Sequence, residues 1–86
     1  MNVAVWDTYV DRPDGRTMHF DILVETNVSF ETVHEYGAEY LADKDVLDDT
    51  LTIDECAFCH VEAASAEAKQ AIDDRGYAIV ELDHCD

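Results

Sequence analysis

Two β-forming runs separated by a Pro-Asp-Gly turn constrain this chain more than any other feature. Residues 2–10, NVAVWDTYV, and residues 17–24, TMHFDILV, are rich in β-branched and aromatic side chains. Between them Pro13 fixes φ, Asp14 offers a local cap and Gly15 tolerates φ > 0. The pattern predicts a β-hairpin. A loop of Pro13, Asp14 and Gly15 places Val10 opposite Met18, Thr8 opposite Phe20, Trp6 opposite Ile22 and Ala4 opposite Val24. Those side chains then share one almost wholly apolar face, which a one-residue slip would scramble. The other face sets Tyr9 against His19, Asp7 against Asp21 and Val5 against Leu23.

Ser29 is a good N-cap. Phe30, Val33, Gly37, Tyr40 and Leu41 follow at helical spacing and predict an amphipathic helix over residues 30–43. Residues 45–51 read as an acidic loop. Thr52 and Glu55 match a capping box, which predicts a short helix or turn running into Cys56. Ser65 caps a second main helix over residues 66–75, with Ala68, Ala71 and Ile72 inward and Gly76 as its stop. Residues 77–82, YAIVEL, predict a third strand, followed by a short tail. The expected architecture is α+β, one domain over residues 1–86. It has a small three-stranded sheet covered on one face by the two main helices. The last strand is expected beside the first, through a right-handed crossover if parallel.

Charge narrows the function classes. Asp and Glu number 21 against 5 Lys and Arg, a formal net charge of -16. Nucleic-acid binding needs a basic patch, and anionic membrane surfaces would repel this chain. No run approaches the roughly 20 apolar residues of a membrane span. No leader-like segment opens the sequence, so a cytoplasmic protein is expected. The acids are spread along the whole chain, which suits a salt-rich, halophilic cytoplasm where self-repulsion is screened. At this size the core is modest, so a dimer or another protein partner would be a natural supplement.

Cys56-Ala57-Phe58-Cys59-His60 is the most chemical stretch. The leading expectation is a zinc-binding or thiol-based accessory module rather than an enzyme. Cys56, Cys59 and Cys85 would supply thiolates, with His60 as fourth ligand or as a group supporting them. An alternative is a thiol–disulfide oxidoreductase using Cys56 and Cys59, with Cys85 as resolving thiol. Asp54, Glu55 and Glu62 oppose a thiolate there. A third reading is a metal-free interaction domain whose three cysteines only pack. The odd cysteine count does not suit a secreted disulfide framework. Cys-x-x-Cys-His is also a haem-attachment spacing, but that chemistry follows export. On the hairpin, Asp7, His19 and Asp21 form a second candidate, able to orient an imidazole or hold a cation. Its alternative is a solvated face screened by salt. No Gly-rich phosphate loop occurs, and Ser29 and Ser65 are already used as caps. Phe30, Tyr36 and Tyr40 read as core.

Several segments together resemble the DUF2024 family. They are Val5-Trp6-Asp7-Thr8-Tyr9-Val10, Asp14-Gly15, Met18-His19-Phe20-Asp21, Glu55-Cys56-Ala57-Phe58-Cys59-His60, Gly76-Tyr77 and Cys85. The resemblance implies a compact α+β domain and assigns no reaction. It gives weight to Asp7, His19, Asp21, Cys56, Cys59, His60 and Cys85. His84 stands where the family pattern commonly has Gly. The resemblance also suggests that His19 and the Cys56–His60 segment converge in space.

Overall fold

The computed structural model describes residues 1–12, 14–44 and 53–85. Its elements are β1 (Asn2–Asp11), β2 (Thr17–Glu25), α1 (Phe30–Asp43), β3 (Ile53–Ala63), α2 (Ala66–Arg75) and β4 (Tyr77–Asp83). The four strands form one antiparallel sheet in the order β3-β1-β2-β4.

The hairpin forms in the expected register, with Ala4↔Val24, Trp6↔Ile22, Thr8↔Phe20 and Val10↔Met18 on one face. Asp7↔Asp21 and Tyr9↔His19 fall on the other. Gly15 lies at φ 89°. Asp14 accepts from the Arg16 backbone N–H and pairs with the Arg16 guanidinium at 2.8 Å. That side-chain bond to Arg16 holds the Asp14 carboxyl below its usual range.

The expected three-stranded sheet with one covered face is corrected in three respects. Residues 53–63 form a strand, not a short helix or turn. The last strand pairs with β2, not β1. The helices cover opposite faces. α1 places Val33, Tyr40 and Leu41 against Ala4, Val10, Met18, Phe20, Ile22 and Val24. α2 places Ala68 and Ile72 against Val3, Val5, Leu23 and Ala78. The physical reason is visible in the central strands. Val3-Ala4-Val5 and Ile22-Leu23-Val24 are apolar without interruption and buried throughout. Strands of that kind need cover on both faces. They also leave β1 an open hydrogen-bonding edge, which β3 fills. The capping-box cue at Thr52, the acidic loop over residues 45–51 and Pro13 lie outside the described residues.

Both predicted helix starts are present. Ser29 accepts from the Thr32 backbone N–H, and Ser65 from that of Ala68. Tyr40 is core as expected, and Tyr36 packs at its edge. Phe30 differs: it is 50% exposed. Gly76 ends α2 at φ 95° and donates to the Ile72 carbonyl. A Cβ there would meet the Tyr36 hydroxyl at 2.5 Å, in a ring stacked on Tyr77. Gly76→Ala should therefore cost about 1–2 kcal/mol from the left-handed backbone alone, plus the steric clash. Urea denaturation measures the loss, and adding Tyr36→Phe should return the steric part only.

Candidate functional site

α2 has ten residues and spans about 15 Å. It covers one end of its sheet face, over Val3, Val5, Leu23 and Ala78. Further along the same face, strand alternation brings Asp7 and Asp21 side by side, then Tyr9 and His19. These residues belong to neither core cluster, and polar side chains are tolerated because no helix lies on them.

His19 Nε2 lies 3.7 Å from Asp7 Oδ1 and 4.0 Å from Asp21 Oδ1. Both separations are too long for ordinary hydrogen bonds. His19 Nε2 and Asp21 Oδ1 are nevertheless buried, with no hydrogen-bond partner among the described residues. The imidazole is held flat by Tyr9, whose ring stacks on it at 4.3 Å with 10° between planes. One donor atom from each of Asp7, His19 and Asp21 lies within 4.8 Å of the others. Among the described residues this is the group of three or more such side chains gathered closely enough to share an ion.

The two carboxyls affect each other. Burial pushes Asp21 up to about 6, and its contact with Asp7 adds to the rise. The neighbouring Asp21 side chain holds Asp7 below its usual range. The pair therefore shares one proton in mildly acidic solution.

β3 brings part of the cysteine motif to this face. The β1–β3 register runs Val5↔His60 and then Trp6↔Phe58, so Cys59 is an inserted bulge residue. Consequently Cys59 and His60 both serve the Asp7 face. The Cys59 side chain helps to hold the Asp7 carboxyl low, and His60 acts electrostatically on Asp21. His60 Nδ1 lies 3.1 Å from Cys59 Sγ, and its Nε2 lies 2.7 Å from Glu62 Oε1. Desolvation and the charge of Asp7 push the Cys59 thiol up.

Cys56 points the other way. It packs against the α1-side core and accepts from the Thr8 hydroxyl at 3.5 Å. Burial pushes its thiol up. Cys85 is also buried in that core, donating to the carbonyls of His19 at 3.4 Å and Asp83 at 3.3 Å. It ties the tail to β2 from behind the His19 face, while the preceding His84 carbonyl accepts from Arg12 at 2.8 Å. All three cysteines are free thiols. The structure thus gathers Asp7, His19 and Asp21, sets Cys59 and His60 beside them, and does not gather Cys56, Cys59, Cys85 and His60. Of the Cys56–His60 segment, Cys59 and His60 turn to the face that carries His19, whereas Cys56 turns to the α1 side. Tyr9 and Glu62 are the supporting residues that motif reading passed over. Their signals were the cross-strand position of Tyr9 and the two-residue spacing of Glu62 from His60, which on a strand means a shared face.

The sequence model for the domain of unknown function DUF2024 matches residues 1–82. The chain belongs to the DUF2024 family. The matched span contains the hairpin triad and Cys56–His60 and stops short of Cys85. The NMR structure of protein NE1680 from Nitrosomonas europaea, a structural genomics target, is similar in fold at a TM-score of 0.81. Its sequence is 35% identical, and the likeness covers 100% of both chains. No curated protein matches this family member. Among the described residues, no helix is long and apolar enough to cross a membrane.

The Asp7–Asp21 pair sets a pH dependence. Its ordinary carboxylate value is 3.8, against about 6 for Asp21 in the fold. Between these values the folded chain keeps a proton that the unfolded chain has lost, so this pair lowers stability as pH rises from about 4 to about 6. Asp7, held low, acts in the opposite sense only below that window. Asp21→Asn should gain stability relative to the native protein across the window and hold that gain at higher pH. Urea denaturation at fixed high ionic strength with a chelator present reads the difference.

Proposed function

We propose that this protein is a divalent-cation-binding module that takes zinc at Asp7, His19 and Asp21. The observation that carries the reading is the placement of His19 Nε2 and Asp21 Oδ1, buried and unpartnered, 4.0 Å apart and beside Asp7. Tetrahedral zinc with bonds of about 2.0–2.2 Å needs donor separations of about 3.3–3.6 Å. The observed gaps of 3.7 and 4.0 Å are a few tenths of an ångström wider, a distance that side-chain rotation covers. One imidazole and two carboxylates suit zinc, and a dication would offset the repulsion that raises Asp21. Tyr9 restricts the ring beforehand, which lowers the ordering cost. The reading is one of binding, and water or a partner's donor would complete the coordination. The cysteine ligand set has less support, because Cys56 and Cys85 lie in the core on the far side of the sheet.

Zinc titration calorimetry on chelator-stripped protein in high salt tests this. His19→Ala and Asp21→Asn should each weaken zinc by more than about tenfold, while Cys56→Ser and Cys85→Ala leave the affinity unchanged. The reverse pattern would move the metal to the cysteines.

A second reading has its own observation. Cys59, His60 and Glu62 form a thiol–imidazole–carboxylate relay with steps of 3.1 and 2.7 Å. That order of nucleophile, base and orienting acid supports thiol chemistry at Cys59 alone. A Cys56–Cys59 redox pair is disfavoured, since three residues of extended strand span about 10 Å, beyond disulfide reach. On this reading a disulfide reagent such as DTNB labels one thiol quickly in the folded protein. Cys59→Ser should remove that phase, and His60→Ala should slow it several-fold with the fold intact by circular dichroism.

A further inference from the structure

β3 is an edge strand of the sheet, and among the described residues its outer edge pairs with no other strand. It runs eleven residues, Ile53–Ala63. Sheet edges of that length are ordinarily blunted by charges, Pro, bulges or a covering element, and here the bulge at Cys59 and the acidic residues of β3 are the devices present. Its sequence, IDECAFCHVEA, contains neither Lys nor Pro. Its α1-side face carries Phe58 at 54% and Val61 at 49% exposed. Trp6 lies between Phe58 and Phe30, with ring centroids 5.9 and 5.8 Å away. Phe30 is itself half-exposed on α1. The result is a continuous apolar strip running from an open strand edge onto a helix.

A second copy of this chain is a poor occupant. β3 carries Asp54, Glu55 and Glu62 and no cation. A twofold antiparallel pairing centred on Phe58 would put Asp54 opposite Glu62. Centring it between Phe58 and Cys59 would put Glu55 there instead. Like charges directly opposite destabilise a ladder, and the whole chain repels its copy at a net charge of -16. Glu31 and Glu35, flanking Phe30, extend the acidic rim. A basic segment reverses every one of these terms.

We propose that the outer edge of β3 is a docking site for an extended basic segment of a partner protein, one that alternates apolar and Lys or Arg residues. Its backbone would continue the sheet, its apolar side chains would lie on Phe58, Val61 and Phe30, and its alternate cations would meet Glu62 on the other face of β3. The strand edge and the apolar strip of Phe58, Val61 and Phe30 lie away from the Asp7–His19–Asp21 group, and Phe58→Ser and Val61→Ser touch none of those three residues, so failure of this proposal and failure of the zinc reading are separable.

The probe is an eleven-residue peptide alternating Lys and Val, titrated into ¹⁵N-labelled protein. The control keeps every lysine and has proline in place of each valine, which holds the charge constant and removes the amide donors at those positions. Binding of the first peptide should slow hydrogen exchange at β3 amides that carry no bond to β1. It should exceed the control at least tenfold in affinity, and Phe58→Ser should reduce it at least tenfold. Phe58 is half-exposed, so that variant should keep the native amide spectrum, and Val61→Ser is a second variant. Equal binding of both peptides would reduce the effect to bulk charge attraction and overturn the proposal. A dimeric free protein with its β3 edge already protected would overturn it too, by assigning the edge to a second copy.

Discussion

The register between β1 and β2 is the constraint on which the rest of the molecule depends. Along half of the hairpin both faces are apolar, from Val3 to Val5 and from Ile22 to Val24. Along the other half only the α1 side is. This asymmetry decides where helices can sit. α1 covers the face that is apolar from end to end, and α2 covers the apolar half of the other. The polar half is left open, and Asp7, Tyr9, His19 and Asp21 are there because the same register puts them there. A shift by one residue would bury the carboxylates against α1 and turn Phe20 and Met18 to solvent.

Two acidic side chains directly opposite on neighbouring strands run against the usual preference for cross-strand pairs. Here they lie beside an imidazole whose Nε2 has no partner among the described residues. A local rule broken within an otherwise consistent fold marks the place where function is to be sought. The raised Asp21 and lowered Asp7 describe the same situation electrostatically: the site has more negative charge than its surroundings can solvate. A proton relieves this in acid, and a cation would relieve it at neutral pH.

The Cys56–His60 segment shows how one local cue can mislead. A capping-box match at Thr52 and Glu55 suggested a turn, and on a turn two cysteines three apart can face one ligand. On a strand they face opposite ways, so Cys56 enters the core while Cys59 turns to the Asp7 face. The strand was obscured because the bulge at Cys59 interrupts the alternation of Cys56, Phe58 and Val61. A signal was available in β1 instead: an uninterrupted apolar run needs neighbours on both edges as well as cover on both faces.

Local chemistry by itself determined the hairpin and its register, the Ser29 and Ser65 caps, the Gly76 stop and the facing of Asp7, His19 and Asp21. Each of these rests on interactions between residues close in sequence, or across a tight turn, where few arrangements compete. The tertiary structure alone decided that β3 closes on β1, that β4 closes on β2, and that the helices divide between the faces. Those contacts join distant segments, and their outcome depends on which assembly covers the central strands completely. The same contacts decided which cysteine meets the hairpin site. That depended on one inserted residue in the β1–β3 ladder, a property of the pairing of two strands and of neither strand alone.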